Sequence, residues 1–366
     1  MKSFYFFLIL IIFASCESPK LDEDEYEAVK NYAIPIEQRG IRSINSSNSV
    51  LKQDLSMLGS LFTSELVLLE LEDMKINTKR VLTKESGNSM NFYFHTCDSI
   101  FYFESEGNFI RKYDTAGFHI GYDFSLNQSV INLMVASPFA LSKNIYFSVV
   151  SNKHDFSSAD SRKIAYEDSN PIWEYNFSDS NLSYVNAFGD YPKDYLLGKD
   201  FYNHSPNVIV GLNNELILSY QSDHNLWVNK RDSEGKTIVK AKSRYIETFN
   251  HLDDEDGSNL RLIKEYIAEE PKYINLITDV HKSYYYRIVK HRFDLENDKK
   301  SDNGYKWSVM VLDAEFKVLK ELLFSYREYT PDIFIPTSNG ILVKKVPKNE
   351  AEDNGKLKLS LIDLKV

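Results

Sequence analysis

Residues 207–240, NVIVGLNNELILSYQSDHNLWVNKRDSEGKTIVK, hold three short apolar runs separated by turn residues, and they read as a strand meander. ELILSY at 215–220 is dense in β-formers, and NLWVNK at 225–230 alternates apolar with polar side chains. Asp232-Ser233-Glu234-Gly235 is a turn whose glycine falls where a positive φ is wanted, and a third strand opens at Thr237. The same phrase recurs along the chain, and the recurrence decides the fold.

Repeats of about 40–50 residues are the mark of propellers. The unit is an apolar strand, a gap, a second alternating strand and a turn opened by aspartate. Such turns are expected at Asp73, Asp114, Asp179, Asp232, Asp313 and Asp363. The two longest intervals between them contain the polar segments 151–168 and 247–271. Strand pairs precede the turn most legibly at 91–94 with 99–104, at 273–278 with 284–290, and at 332–335 with 340–346 and 356–362. Period-two alternation in these runs argues for half-buried antiparallel strands. Two stretches carry helical character instead, VLKQDLSMLGSLF at 50–62 and SNLRLIKEYIA at 258–268. The expectation is an all-β protein: a single β-propeller of six four-stranded blades with short helical insertions, over residues 46–366. A strand from 41–50 or 66–71 is expected to close the ring beside the last blade.

The chain begins MKSFYFFLILIIFASC, with one positive charge, ten apolar residues from Phe4 to Phe13, and then Ala14-Ser15-Cys16. About 20 apolar residues are needed to span a bilayer, so this run reads as a secretory signal rather than a membrane helix. It resembles a bacterial lipoprotein signal, which implies cleavage before Cys16 and lipid attachment at that residue. An ordinary secreted protein with an incidental cysteine is the bland alternative. Residues 1–15 are thus the expected signal and 16–45, with Pro19, Pro35 and the acidic run at 22–25, an acidic tether that holds the domain off the membrane. With Cys16 acylated only Cys97 remains, so no intramolecular disulfide is available to the mature chain.

The 366 residues carry 43 Lys and Arg against 53 Asp and Glu, a formal net charge of −10, and a surface this acidic repels phosphate backbones. Nucleic acid is therefore not an expected partner. No G-x-S-x-G, H-E-x-x-H, G-x-x-x-x-G-K-[ST] or paired C-x-x-C occurs, so serine-hydrolase, zincin, P-loop and zinc-ribbon chemistries lack their signatures. The acidic loop at 251–257 fails the calcium-loop pattern, because aligning Gly257 with the sixth position puts Leu252 first and Ile263 twelfth. His95 and Cys97 offer two ligands where zinc wants three or four. No cofactor is expected.

The turn at 110–117, the strand Tyr284-Tyr285-Tyr286-Arg287-Ile288 and the hairpin SVMVLDAEF at 308–316, together with the lipobox, resemble Bacteroidetes lipoproteins of the six-bladed, TolB-like β-propeller type. More narrowly they resemble a branch catalogued as a domain of unknown function. The resemblance implies a shape and an envelope location, anchored to the outer membrane, and brings no catalytic residues with it.

Most of the 24 Tyr, 23 Phe and 3 Trp belong to the core. Alternation sends Tyr284, Tyr286 and Ile288 to one face of their strand and Tyr285 and Arg287 to the other. Arg287 then either bridges a carboxylate between blades or, with Tyr285, faces the axial opening as a ligand-binding group. The function expected is a membrane-anchored platform that binds a peptide, a glycan or a partner protein. The alternative is an extracytoplasmic glycan hydrolase or lyase with paired carboxylates at the channel.

Overall fold

The computed structural model describes residues 26–37, 41–43, 55–60, 65–72, 75–83, 91–96, 99–104, 109–114, 116, 119–125, 139–141, 144–148, 159–167, 170–178, 181–196, 206–230, 235–252, 260–292, 305–347 and 356–366. Strand β1 is Tyr26–Glu37. The first sheet follows it, with β2 (Ile41–Ser43), β3 (Leu55–Ser60), β4 (Glu65–Glu72) and β5 (Lys75–Thr83). Next comes a second, of β6 (Asn91–Thr96), β7 (Ser99–Glu104), β8 (Phe109–Tyr113) and β9 (His119–Ser125). The third holds β10 (Phe139–Leu141), β11 (Asn144–Ser148), β12 (Ile172–Ser178) and β13 (Asn181–Phe188). Sheet four is β14 (Asn207–Val210), β15 (Leu216–Ser219), β16 (Asn225–Asn229) and β17 (Lys236–Lys240). Sheet five is β18 (Lys272–Asp279), β19 (Tyr284–Lys290), β20 (Trp307–Leu312) and β21 (Val318–Phe324). The last contains β22 (Tyr329–Thr337), β23 (Gly340–Lys345) and β24 (Lys356–Leu364), and β1 returns from the start of the chain as its fourth strand.

Among the described residues there are thus six four-stranded sheets, each antiparallel and each in sequence order from its first strand outward. Opening strands of neighbouring sheets touch, β6 against β10, β10 against β14, β14 against β18, β18 against β22 and β22 against β2, and β3 meets β6. The fold is β-propeller-like. Its cores lie between sheets rather than within one layer, as facing blades require. Tyr286, Ile288, Trp307 and Val309 pack against Phe334, Val343 and Ile362 of the last sheet. Leu342, Leu359 and Leu361 pack with Ile34 and Leu69 of β1 and β4. Ile217, Leu226 and Val228 pack with Tyr273, Tyr285, Val289 and Met310.

Several expectations from sequence are corrected here. The opening stretch 207–240 holds four strands rather than three, because Asn207–Val210 is itself a strand paired with β15. Of the helical stretch expected at 50–62, the described residues 55–60 are not helical. Leu55–Ser60 is a strand held between β2 and β4, and its helical spacing yields to a position in the middle of a sheet. The tether drawn over 16–45 ends earlier, since Tyr26–Glu37 pairs with β24 from Tyr26↔Leu364 to Glu37↔Lys356. This strand, and neither 41–50 nor 66–71, completes the last sheet. Pro35, read as a tether residue, is tolerated because β1 is an edge strand with one side free of ladder bonds.

Helix α1 (Ala159–Glu167) lies in the polar interval before β12, α2 (Lys193–Leu196) precedes β14, and α3 (Leu260–Glu269) realises the second helical stretch. Among the described residues no helix is long and apolar enough to cross a membrane.

The connections are unequal at the two ends of the sheets. In an antiparallel meander, the links from second to third strand and from fourth strand to the next sheet share one end. Among the described residues all three helices belong to links of this end, α1 between β11 and β12, α2 between β13 and β14, and α3 between β17 and β18. Among the described residues the opposite end carries short turns, at 211–215, 280–283, 313–317 and 338–339. Asn214, Ser283 and Phe316 take positive φ there, at 62°, 57° and 66°. The turn aspartates fall at this end too: Asp313 accepts from the Glu315 and Lys317 amides at 3.0 and 2.8 Å, and Asp114 from the Ala116 amide at 2.8 Å. Asp363 lies within β24, opposite Glu27, because there the fourth strand comes from the other terminus.

Candidate functional site

The described polar chemistry is richest at the helix-bearing end, in the wedge between sheets four and five. Strand β19 is the hinge of this wedge, and its alternation is the expected one. Tyr286 and Ile288 enter the core shared with the last sheet, while Tyr285 and Val289 enter the core shared with sheet four.

Arg287 faces sheet four and is fully buried. No carboxylate meets its guanidinium. Its Nε donates to Ser219 Oγ at 3.1 Å, and its terminal nitrogens donate to the main-chain oxygens of Asp223 (2.6 Å), Ala241 (2.7 Å) and His224 (3.1 Å). Its plane lies 3.3 Å from the Tyr273 ring centroid. The carboxylate bridge expected from sequence is thus replaced by carbonyls. The 220–225 turn directs several C=O groups at one point, and a planar fork of donors meets them together. Burial pushes the Arg287 pKa down to about 10, with Tyr273 and Asp223 opposing, so it stays protonated at neutral pH.

Tyr285 lies on the same strand face, also fully buried, but toward the turn-bearing end. Its hydroxyl donates to Glu215 Oε1 at 3.0 Å and accepts from the Leu212 amide at 2.9 Å, and its ring stacks on Phe316 at 4.8 Å. Tyr285 and Arg287 therefore fasten sheet five to two successive turns of sheet four.

Beside Arg287 a chain of hydrogen bonds runs across the wedge. The Ser243 amide donates to Tyr273 Oη at 3.0 Å, which leaves the phenol proton for His224 Nδ1 at 2.8 Å. Ser243 Oγ donates to Glu321 Oε1 at 2.6 Å, and the Arg244 amide donates to Oε2 at 2.8 Å. Ser308 Oγ also donates to Glu321 Oε1, at 2.7 Å, and lies 2.8 Å from His291 Nε2. Since the serine proton is directed at Glu321, His291 Nε2 is the donor to Ser308. Both imidazoles are neutral at pH 7. Burial, and then the charges of Lys242 and Arg287, lower His224 to about 4, and burial with Lys306 and Arg244 lowers His291 to about 4. Ser308, wholly buried and donating to a carboxylate, is not placed to act as a nucleophile.

Lys290 closes the same region by capping α3, donating to the Ile267 and Ala268 carbonyls at 2.9 and 2.5 Å. Desolvation, with Lys272 nearby, brings it down to about 8. Among the described residues no group of three or more His, Cys, Asp or Glu is disposed to hold a metal ion.

Of the residues singled out from sequence, the structure brings Tyr285 and Arg287 to one strand face and sets them inside the wall between two sheets. Cys16, Cys97, the acidic residues 22–25 and the loop residues 253–257 lie outside the described residues, and His95 is described only as backbone of β6. His224, Tyr273, Ser243, Glu321, Ser308 and His291 were not found by sequence reasoning. No spacing joins them, because they come from three strands of sheet five and from three connections. Only the alternation Lys240-Ala241-Lys242-Ser243-Arg244 left a signal.

The sheets and this internally bonded wedge define a β-propeller-like, all-β protein. The chain belongs to the family described as Domain of unknown function (DUF4221), whose model matches residues 76–323. It is similar to the crystal structure of a member of that family from Bacteroides vulgatus, with a TM-score of 0.66 at 16% identity over 93% of this chain and 98% of that one. Weaker likenesses join it to YjhT (TM-score 0.49, 10% identity, 91% and 97% covered) and to virginiamycin B lyase from Staphylococcus aureus (0.42, 9%, 93% and 100%). At those scores they support no argument. No curated protein matches the sequence.

Proposed function

We propose that the six sheets are the blades of a closed six-bladed propeller of the TolB-like type, carried on the outer membrane by a lipid on Cys16. The helix-bearing end serves as a binding platform for a peptide, glycan or partner protein. One observation carries this reading: among the described residues α1, α2 and α3 all belong to links at one end of the sheets, while the described turns of the other end are short. Rigid sheets that present varied connections at one end are the usual arrangement for recognition. The Arg287 cage and the Glu321 relay hold the roots of those connections in place. The lipobox Ala14-Ser15-Cys16 supports the anchor.

Photo-crosslinkers placed in the envelope-associated full chain test the platform. Exposed Lys264 on α3 reports on one end and exposed Glu315 on the other. Crosslinks to a partner are expected from Lys264 alone. Equal crosslinking from both positions, or turnover of a glycan by the purified protein, would overturn the reading.

A further inference from the structure

One feature of the helix-bearing end runs against the charge of the whole chain. Where β17 leaves its sheet, burial alternates residue by residue. Ala241 and Ser243 are fully buried, whereas Lys240, Lys242 and Arg244 are exposed. The inward groups are bound to the wedge: the Ala241 amide donates to the His224 carbonyl at 2.9 Å, and the Ala241 carbonyl receives Arg287. The three cations therefore stand outward, Lys240 as the last residue of β17, Lys242 just beyond it and Arg244 in the turn that follows.

None of the three forms an ion pair with a carboxylate. Lys242 Nζ donates to the Glu247 carbonyl at 3.2 Å, and the Arg244 guanidinium to the Glu321 carbonyl and the Tyr245 hydroxyl, both at 2.9 Å. The Glu321 carboxylate is taken inside by Ser243, Ser308 and the Arg244 amide. The ridge continues β17, whose residues are exposed apart from Val239 and which is the outer edge of its sheet.

We infer that the ridge Lys240–Lys242–Arg244, with the edge of β17, docks an extended acidic peptide segment of a partner protein. The inference rests on the platform reading and names its occupant. The carboxylates of such a peptide complement the three outward cations, and its backbone can add to the edge of β17, which leads into the ridge. A sugar ring is less well served: Tyr245, the aromatic group beside the ridge, already stacks on His291 at 4.4 Å.

The test uses the purified full chain and a labelled peptide of about twelve residues alternating glutamate with threonine, read by fluorescence anisotropy. Binding should weaken as salt rises, since exposed charges are screened over about 10 Å at 0.1 M. An isomer with its glutamates contiguous should bind several-fold less well, and Lys240→Glu/Lys242→Glu should lose binding at least tenfold with unchanged thermal unfolding. Lys240→Gln/Lys242→Gln should fall between. No binding, or equal binding by the charge-reversed variant, overturns the inference. Lysine-dependent binding of polygalacturonate or of phosphatidylglycerol vesicles in preference to the peptide overturns it too. In each case crosslinks confined to Lys264 would leave the platform reading standing.

Discussion

Arg287 concentrates the physical logic of the wedge in one side chain. A buried guanidinium is tolerated when its donors and the surrounding acceptors match in number and direction, and here the acceptors are carbonyls of sheet four. Arg287→Met removes the donors and deprives the Asp223 and Ala241 carbonyls of this partner, while the His224 carbonyl keeps the Ala241 amide. At about 1–3 kcal/mol per orphaned group, partly relieved by water, a loss of about 3–5 kcal/mol is expected. Arg287→Lys should recover only a minor part of it, since a point charge cannot reproduce the fork. Denaturant unfolding measures both, and a change in Arg287→Met under about 1 kcal/mol would remove the residue from this role. The two histidines predict a pH dependence. Free imidazole takes its proton near pH 6.5, whereas His224 and His291 do so near pH 4. Between those values the unfolded chain holds more protons, so stability is full above about pH 6.5 and declines as pH falls toward 4. His291, the more buried, accounts for on the order of 2–3 kcal/mol of this decline, and His224, nearer water, for less. His291→Gln retains a donor for Ser308 without the titration. Its melting temperature should therefore fall less steeply than that of wild type between pH 7 and 4, and parallel curves would contradict the assignment.

At the scale of elements, alternation was the reliable guide and helical spacing was not. The strands over 273–290 and 340–362 were legible because their side chains serve two different cores in turn, which imposes a period of two. Residues 50–62 misled because apolar residues at 51, 55, 58, 61 and 62 also fit a helical stripe, and only the strands on either side decide for Leu55–Ser60. Tyr26–Glu37 was read as tether because acidic residues and Pro35 mark solvated chain. Its partner β24 lies at the other terminus, a pairing no local pattern reveals. Ile34, buried against Leu357 and Leu359, shows what it contributes. Removing residues 1–25 should consequently leave unfolding unchanged, whereas removing 1–37 should uncover β24, expose a sheet edge and lower the melting temperature by more than about 10 °C. Deleting 356–366 should be at least as severe, because β24 is an inner strand of its sheet. A shortened chain lacking 1–37 that melts like wild type would refute the closing role of β1.

On the scale of the whole molecule, anchor and fold are separable. Cys16→Ala should release the chain from membranes or block its processing while the circular dichroism of the sheets stays the same. Metabolic labelling with a fatty-acid analogue followed by fractionation is the check, and a wild-type chain that is unlabelled and wholly soluble would refute the anchor. The sequence by itself determined the all-β class, the recurrence of strand units, the turns at Asp114 and Asp313 and the two faces of Tyr284–Ile288, because each depends on residues near in sequence and on strand periodicity; Asp73, Asp179 and Asp232 lie outside the described residues. Tertiary structure alone decided that the last sheet is completed by Tyr26–Glu37, that Arg287 is held by carbonyls, and that His224, Tyr273, Ser243, Glu321, Ser308 and His291 form one chain of hydrogen bonds. Those outcomes depend on which connections meet when sheets pack face to face, and the distance along the chain between the partners leaves no periodic trace.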